Sequence, residues 1–190
     1  AMSAHELRTP IAGALAQVQQ LRAELGDLPQ GARARSVEEA LKTLATLSEK
    51  LLQLARLEAG FARAETPADL LPVLKLLLRE AGDCAFDLRE GANLTLAVNP
   101  DAFSILLSNL LQNARKHGGA APEITVTAGP GNRLSVANSG PVVAPETLEK
   151  LGRKFVRGDT SARGTGLGLA LVKTIAEQTG GEVSFLSPRP

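Results

Sequence analysis

Residues 4–25 read AHELRTPIAGALAQVQQLRAEL and residues 36–58 read SVEEALKTLATLSEKLLQLARLE. In the first stretch Ile11, Val18 and Leu25 recur at seven-residue spacing, and Leu7, Ala14 and Leu21 form a second seam beside them. The second stretch repeats the device with Val37, Leu44 and Leu51 next to Ala40, Leu47 and Leu54. Apolar residues at this period lie on one stripe of an α-helix and stay in register with a partner helix. Between the two stretches, Gly26-Asp27-Leu28-Pro29-Gln30-Gly31 carries residues that end one helix before the next begins. The expectation is an antiparallel helical hairpin. Two helices cover only part of each other's stripes, so a second copy that completes a four-helix bundle is expected, making the chain a homodimer through this segment.

The heptads stop at Ala59-Gly60, and Thr66-Pro67 opens sequence of a different character. We expect one domain over residues 1–62 and a second over 65–190. The second reads as a helix over 67–81, a strand pair around 84–89 and 94–98, and a helix over 101–116. Strands over 123–128 and 133–137 follow, joined by Gly129-Pro130-Gly131-Asn132, a hairpin signal. After an irregular glycine-rich stretch come a helix over about 167–178 and a last strand over 182–186. The fold class is α+β: the helical hairpin followed by an α/β sandwich.

Composition narrows the function. The 190 residues carry a net charge of +1, which leaves no basic excess to neutralise a run of phosphates and argues against a nucleic-acid binder. One cysteine, Cys84, excludes an internal disulfide or a multi-cysteine metal site and reads as a small packed side chain. No apolar run reaches the ~18 residues of a membrane span. The chain opens almost directly into a helix, so further sequence is expected upstream, and any membrane contact only through it.

Three stretches carry chemistry. In His5-Glu6-Leu7-Arg8-Thr9-Pro10, His5 and Thr9 stand at i and i+4 on one helix face. A neutral imidazole is a nucleophile towards phosphorus; Glu6 can accept the ring proton, and Thr9 can orient a water for the reverse hydrolysis. Pro10 removes one helical hydrogen bond and predicts a bend beside the histidine. In the second stretch, Asn109 to Gly118, the buried stripe Phe103, Leu106, Leu107, Leu110, Leu111 and Ala114 leaves Asn109, Asn113 and Lys116 on another face. An amide oxygen suits Mg²⁺, and a lysine supplies a point charge for phosphates. The third, Arg163-Gly164-Thr165-Gly166-Leu167-Gly168, is a glycine-rich turn opening into a helix, a form that cradles anions. A dinucleotide-binding reading fails because no strand precedes these glycines.

The first of these stretches resembles the H-box of sensor histidine kinases at all six positions. The second is similar to their N-box and the third to their G2-box, and Lys154-Phe155-Val156-Arg157-Gly158-Asp159 looks like their F-box. The boxes stand in family order along nearly the whole chain. The resemblance implies a dimerisation and histidine-phosphotransfer hairpin followed by an ATP-binding sandwich of the Bergerat type, shared by gyrase and heat-shock chaperone ATPases. It implies autophosphorylation of His5 from ATP, with Glu6 and Thr9 assisting and Asn113 holding Mg²⁺. Asn109, Lys116, Asn138, Gly140, Arg157, Arg163, Gly164, Thr165, Gly166, Leu167 and Gly168 would line the nucleotide. The partner it implies is a response-regulator receiver domain, and the location the cytoplasmic portion of an inner-membrane sensor.

One box departs from the pattern. Where the family carries Asp-x-Gly-x-Gly, this chain has Asn138-Ser139-Gly140-Pro141-Val142. A neutral acceptor for the adenine amino group replaces a charged one, a loss on the order of 1 kcal/mol. Val142, at the second glycine's place, restricts the backbone. These changes keep open a nucleotide-impaired scaffold or a phosphatase-biased module acting through Thr9. A clamp that hydrolyses ATP without a phosphohistidine is the third reading, and the intact H-box speaks against it.

Overall fold

Two long helices, α1 (Ala4–Leu25) and α2 (Pro29–Glu58), open the chain. Residues 4–26, 28–156 and 165–188 are those the computed structural model describes, with the side chains of residues 4, 5 and 7 outside that description. Contacts divide the chain into two units, residues 1–55 and 56–190.

In the first unit α1 and α2 run antiparallel, since Arg8 meets Glu49 near one end and Gln19 meets Glu38 near the other. The connection is shorter than expected: Pro29 already begins α2, where its missing N–H costs nothing. Gly26, at φ +52°, closes α1, and a Cβ on Gly31 would lie 2.8 Å from the Gly26 carbonyl, so the tight turn needs both glycines. α1 continues as helix through Pro10.

Ala34 and Leu54 are buried within the unit, and so is one charge. Glu38 accepts from Arg22 at 2.6 Å, Lys42 at 2.6 Å and Gln19 at 3.4 Å. The Lys42 and Arg22 hydrogen bonds, against a smaller opposing effect of burial, hold its carboxyl down at about 2. The seam Val37, Leu44 and Leu51 is not covered by this pairing and stays 41–49% exposed.

The second unit holds two small sheets and the helices laid against them. β1 (Arg63–Asp69) pairs antiparallel with β3 (Thr95–Val98). β2 (Ala85–Leu88) runs parallel to β4 (Ile124–Gly129), which pairs antiparallel with β5 (Arg133–Asn138). The helices are α3 (Leu71–Ala81), α4 (Pro100–His117), the short α5 (Pro145–Leu148) and α6 (Gly168–Gln178). β4 buries alternate residues Ile124, Val126 and Ala128, and α4 and α6 bury Phe103, Leu107, Leu171 and Ile175. The fold class is as expected, helices first and then an α/β sandwich.

Three strand assignments need correction. The helix expected over 67–81 begins only at Leu71, because residues 63–69 form β1; Pro67 is tolerated there since β1 pairs on one side only. The strands near 84–89 and 94–98 do not pair with each other: β2 joins β4 and β3 joins β1. Residues 182–186 form no strand; just beyond them Ser187 Oγ accepts from Val143 N–H at 2.9 Å. The β4–β5 hairpin does form, with Gly131 and Asn132 both at positive φ in its turn.

The last turn of α2 belongs with the second unit. Leu57 is fully buried there, its carbonyl accepts from Gln178 Nε2 at 2.6 Å, and Glu58 pairs with Lys154 at 2.7 Å. Among the described residues no helix is long and apolar enough to cross a membrane.

Candidate functional site

His5 lies in the first turn of α1, and its side chain is outside the described residues. Glu6 and Thr9, the neighbours expected to serve it, are both exposed on the same helix. Beside them Arg8 reaches Glu49 across the hairpin at 3.5 Å. With both side chains more than half exposed, that pair contributes at most about 1 kcal/mol.

α4 presents the second set. Asn99 caps it, its Oδ1 accepting from Asp101 N at 2.9 Å, and Pro100 follows in the first turn. Ala102, Phe103, Leu107, Leu111 and Ala114 are buried, which turns Asn113, half-buried, and Lys116, exposed, towards another side. Asn109 does not share their exposure: it is 6% exposed and donates from Nδ2 to the Ile105 carbonyl at 2.8 Å. A buried amide needs such partners, so Asn109 is packed rather than displayed. Arg115, between them in sequence, points elsewhere and grips Asp83 with Nε and Nη2 at 2.5 Å each. Burial, aided by Lys116, lowers the His117 imidazole from its ordinary value and favours its neutral form.

The loop after β5 is seated on the end of this helix. A Cβ on Gly140, whose φ is +153°, would lie 2.6 Å from the His117 carbonyl and 3.2 Å from Gly118 Cα. A Cβ on Gly118 would collide with Pro122 and lie 3.0 Å from the Ser139 carbonyl. Two glycines therefore allow main chain to touch main chain here, which brings Asn138 and Gly140 to the same end of α4 as Lys116. Asn138 is exposed and donates from Nδ2 to the Ser139 carbonyl at 2.8 Å. Val142 is 68% exposed with negative φ, so its own backbone does not require a glycine.

The glycine-rich turn leads into α6. Gly166, at φ +69°, would bring a Cβ within 3.0 Å of the Phe155 and Val156 main chain, and its carbonyl accepts from Phe155 N at 3.2 Å. Thr165 is half-buried, Leu167 is fully buried, and Gly168 is the first residue of α6, which packs along α4. Arg157, Arg163 and Gly164 lie outside the described residues.

Among the described residues no three His, Cys, Asp or Glu side chains gather as a metal site. What α4 offers instead is the Asn113 amide oxygen, a hard ligand of the kind Mg²⁺ combines with phosphate oxygens, and the Lys116 ammonium, which can bear on those phosphates but not on the metal. Sequence reading missed Ser139, which is tied twice to the Glu123 main chain, and the Arg115–Asp83 pair. Only contact across sixteen or more residues reveals them.

Residues 1–60 match the family model of the His Kinase A (phospho-acceptor) domain. Residues 98–190 match that of the histidine kinase-, DNA gyrase B-, and HSP90-like ATPase. Sensor protein CseC of Streptomyces coelicolor is 33% identical over 189 residues, covering 98% of this chain and 35% of its own length. Sensor histidine kinase TrcS of Mycobacterium tuberculosis is 34% identical over 203 residues, covering 96% of this chain and 39% of its own. The chain thus spans little more than a third of the curated relatives it matches. The solved structure of full-length ShkA in complex with AMPPNP is similar with a TM-score of 0.66 and 27% identity, over 93% of this chain and 40% of that one.

Proposed function

The chain belongs to the two-component sensor histidine kinases, and from that premise we propose that it transfers the γ-phosphate of ATP to His5 and passes it to an aspartate of a response-regulator receiver domain. One observation carries the reading: a phospho-acceptor match with His5 in it and an ATPase match with Asn113 in it lie in order in one chain.

In this reading the neutral imidazole of His5 attacks the γ-phosphorus, an N–P bond forms as the bond to the ADP oxygen breaks, and Glu6 takes the ring proton. Asn113 would hold Mg²⁺, which when bound neutralises charge on the β- and γ-phosphates. Lys116 and Arg163 supply positive charge to the same oxygens, and the amides of Gly164 to Gly168 at the start of α6 add donors and the helix dipole. Arg157, Thr165 and Leu167 complete the phosphate side. Asn138 and Gly140 face the base, with Asn109 supporting α4 from inside. The chain itself does little covalent chemistry, so positioning supplies most of the acceleration. Thr9 serves the reverse hydrolysis by orienting water.

The exposed seam Val37, Leu44 and Leu51 supports a homodimer in which a second hairpin covers it. The relatives are sensor proteins, which supports placing the chain as the cytoplasmic portion of a membrane sensor.

Incubation of the purified chain with Mg-ATP labelled at the γ-phosphate tests the reading. Covalent label that is acid-labile, alkali-stable, dependent on Mg²⁺ and lost in Asn113→Ala is the expected result. Release of free phosphate with no label on the chain at any time would refute it and favour the clamp.

A further inference from the structure

The loop after β5 fixes more than its own path. Ser139 N–H donates to the Glu123 carbonyl at 3.0 Å, and the Glu123 N–H donates back to Ser139 Oγ at 2.9 Å. On the other side Gly118 sits so close that a Cβ there would be 3.0 Å from the Ser139 oxygen, and Gly140 abuts the His117 carbonyl. The peptide that follows Ser139 is held on both flanks, so its carbonyl has one direction. That carbonyl accepts from Asn138 Nδ2 at 2.8 Å.

A primary amide offers two donors on one side and an acceptor on the other, and a half-turn about its last bond exchanges them. Here the exchange is blocked, because turning the amide would bring Oδ1 against the Ser139 oxygen with no proton between them. Among the described residues Oδ1 makes no hydrogen bond and is the atom left to meet a ligand. An asparagine free to turn would accept from a 6-amino purine and donate to a 6-oxo purine alike.

We propose that Ser139 is a positioning residue that locks the Asn138 amide as an acceptor, so that the nucleotide site selects purines with an amino group at C6 over those with an oxygen there. The inference rests on the nucleotide reading given above and adds the source of base selection. It explains how a neutral residue keeps the discrimination that a carboxylate has by charge. A 6-oxo purine still carries a donor at N1, but that atom lies one position round the ring, off the line of the amino group.

Titration of the full chain with three Mg-bound triphosphates tests this: ATP, purine riboside triphosphate with only hydrogen at C6, and inosine triphosphate with oxygen at C6. The expected order is ATP, then the unsubstituted purine about three- to tenfold weaker for one lost neutral hydrogen bond, then inosine triphosphate weaker still because two acceptors face each other. In Ser139→Ala, which removes the Oγ tie, the ratio of ATP to inosine triphosphate affinity should fall towards one. Equal weakening of all three by that substitution would make Ser139 merely structural and overturn the proposal. Wild-type binding of ATP and inosine triphosphate alike, both tighter than the unsubstituted purine, would mean a freely turning amide; it overturns the proposal and leaves the nucleotide reading intact. Binding of none of the three overturns both.

Discussion

Replacing Gly140 by alanine puts the contact between the loop and α4 to the test. The added Cβ would lie 2.6 Å from the His117 carbonyl and 3.2 Å from Gly118 Cα, both main chain, so no flexible side chain can swing away to make room. Overpacking of this kind costs about 1–3 kcal/mol. The φ of +153° is also one that residues with a Cβ avoid, and holding such a backbone costs about 1–3 kcal/mol. One outward movement of the loop relieves both, so the costs do not add, and a loss of about 2 kcal/mol is expected. Urea denaturation should show the midpoint falling at unchanged slope, and titration with Mg-ATP should show affinity weakened at least about tenfold as Asn138 moves with the loop. The companion substitution Val142→Gly restores the family residue at an exposed position with negative φ and should bring no gain in ATP affinity. Gly140→Ala with stability within about 0.5 kcal/mol of wild type and unchanged ATP affinity would refute the packing argument.

Other substitutions separate the remaining elements. Leu44→Glu puts a charge into the exposed seam of α2 and should shift the proposed homodimer to monomer at micromolar concentration in analytical ultracentrifugation; a wild type and variant that are both dimers would move the interface elsewhere. The Glu38 carboxyl titrates at about 2 in the folded hairpin against an ordinary 4.5, so its contribution is full above 4.5 and is lost as pH falls towards 2. The stability gap between wild type and Glu38→Gln should therefore close across that window in thermal melts, and a gap constant with pH would show that the Lys42 and Arg22 contacts do not hold the charge. Leu107→Ala, fully buried on α4, should cost about 2–5 kcal/mol in urea denaturation, whereas Leu76→Ala, more than half exposed, should cost less than about 0.5 kcal/mol; similar losses would mean α4 is not the centre of the core.

What the sequence made legible was local. The hairpin could be read because each heptad stripe lies within one helix and Gly26 and Pro29 mark its turn. The β4–β5 pair could be read because Gly131 and Asn132 take the φ values a tight turn demands. β1 could not, because RAETPAD lacks apolar alternation and becomes a strand only by pairing with β3 some thirty residues on. The same holds for β2, whose neighbour is the distant β4 rather than the strand next in sequence. At the site, each box was visible as a short string. The packing of Asn109 against Ile105 depends on how α4 is buried, and the hold of Ser139 on Asn138 depends on Glu123 in the neighbouring strand region. Neither leaves a mark in residue spacing.

If His5 receives the phosphate, the phosphorus is found on its imidazole after incubation of the chain with Mg-ATP. Phosphorus NMR of the intact chain, paired with mass mapping under neutral conditions, distinguishes a phosphoramidate on the imidazole from a phosphoester on Thr9 or any other hydroxyl. A single phosphoramidate carried by the peptide containing His5 and absent from His5→Ala is the expected result. A phosphoester, or a phosphoramidate that survives His5→Ala on His117, would contradict it.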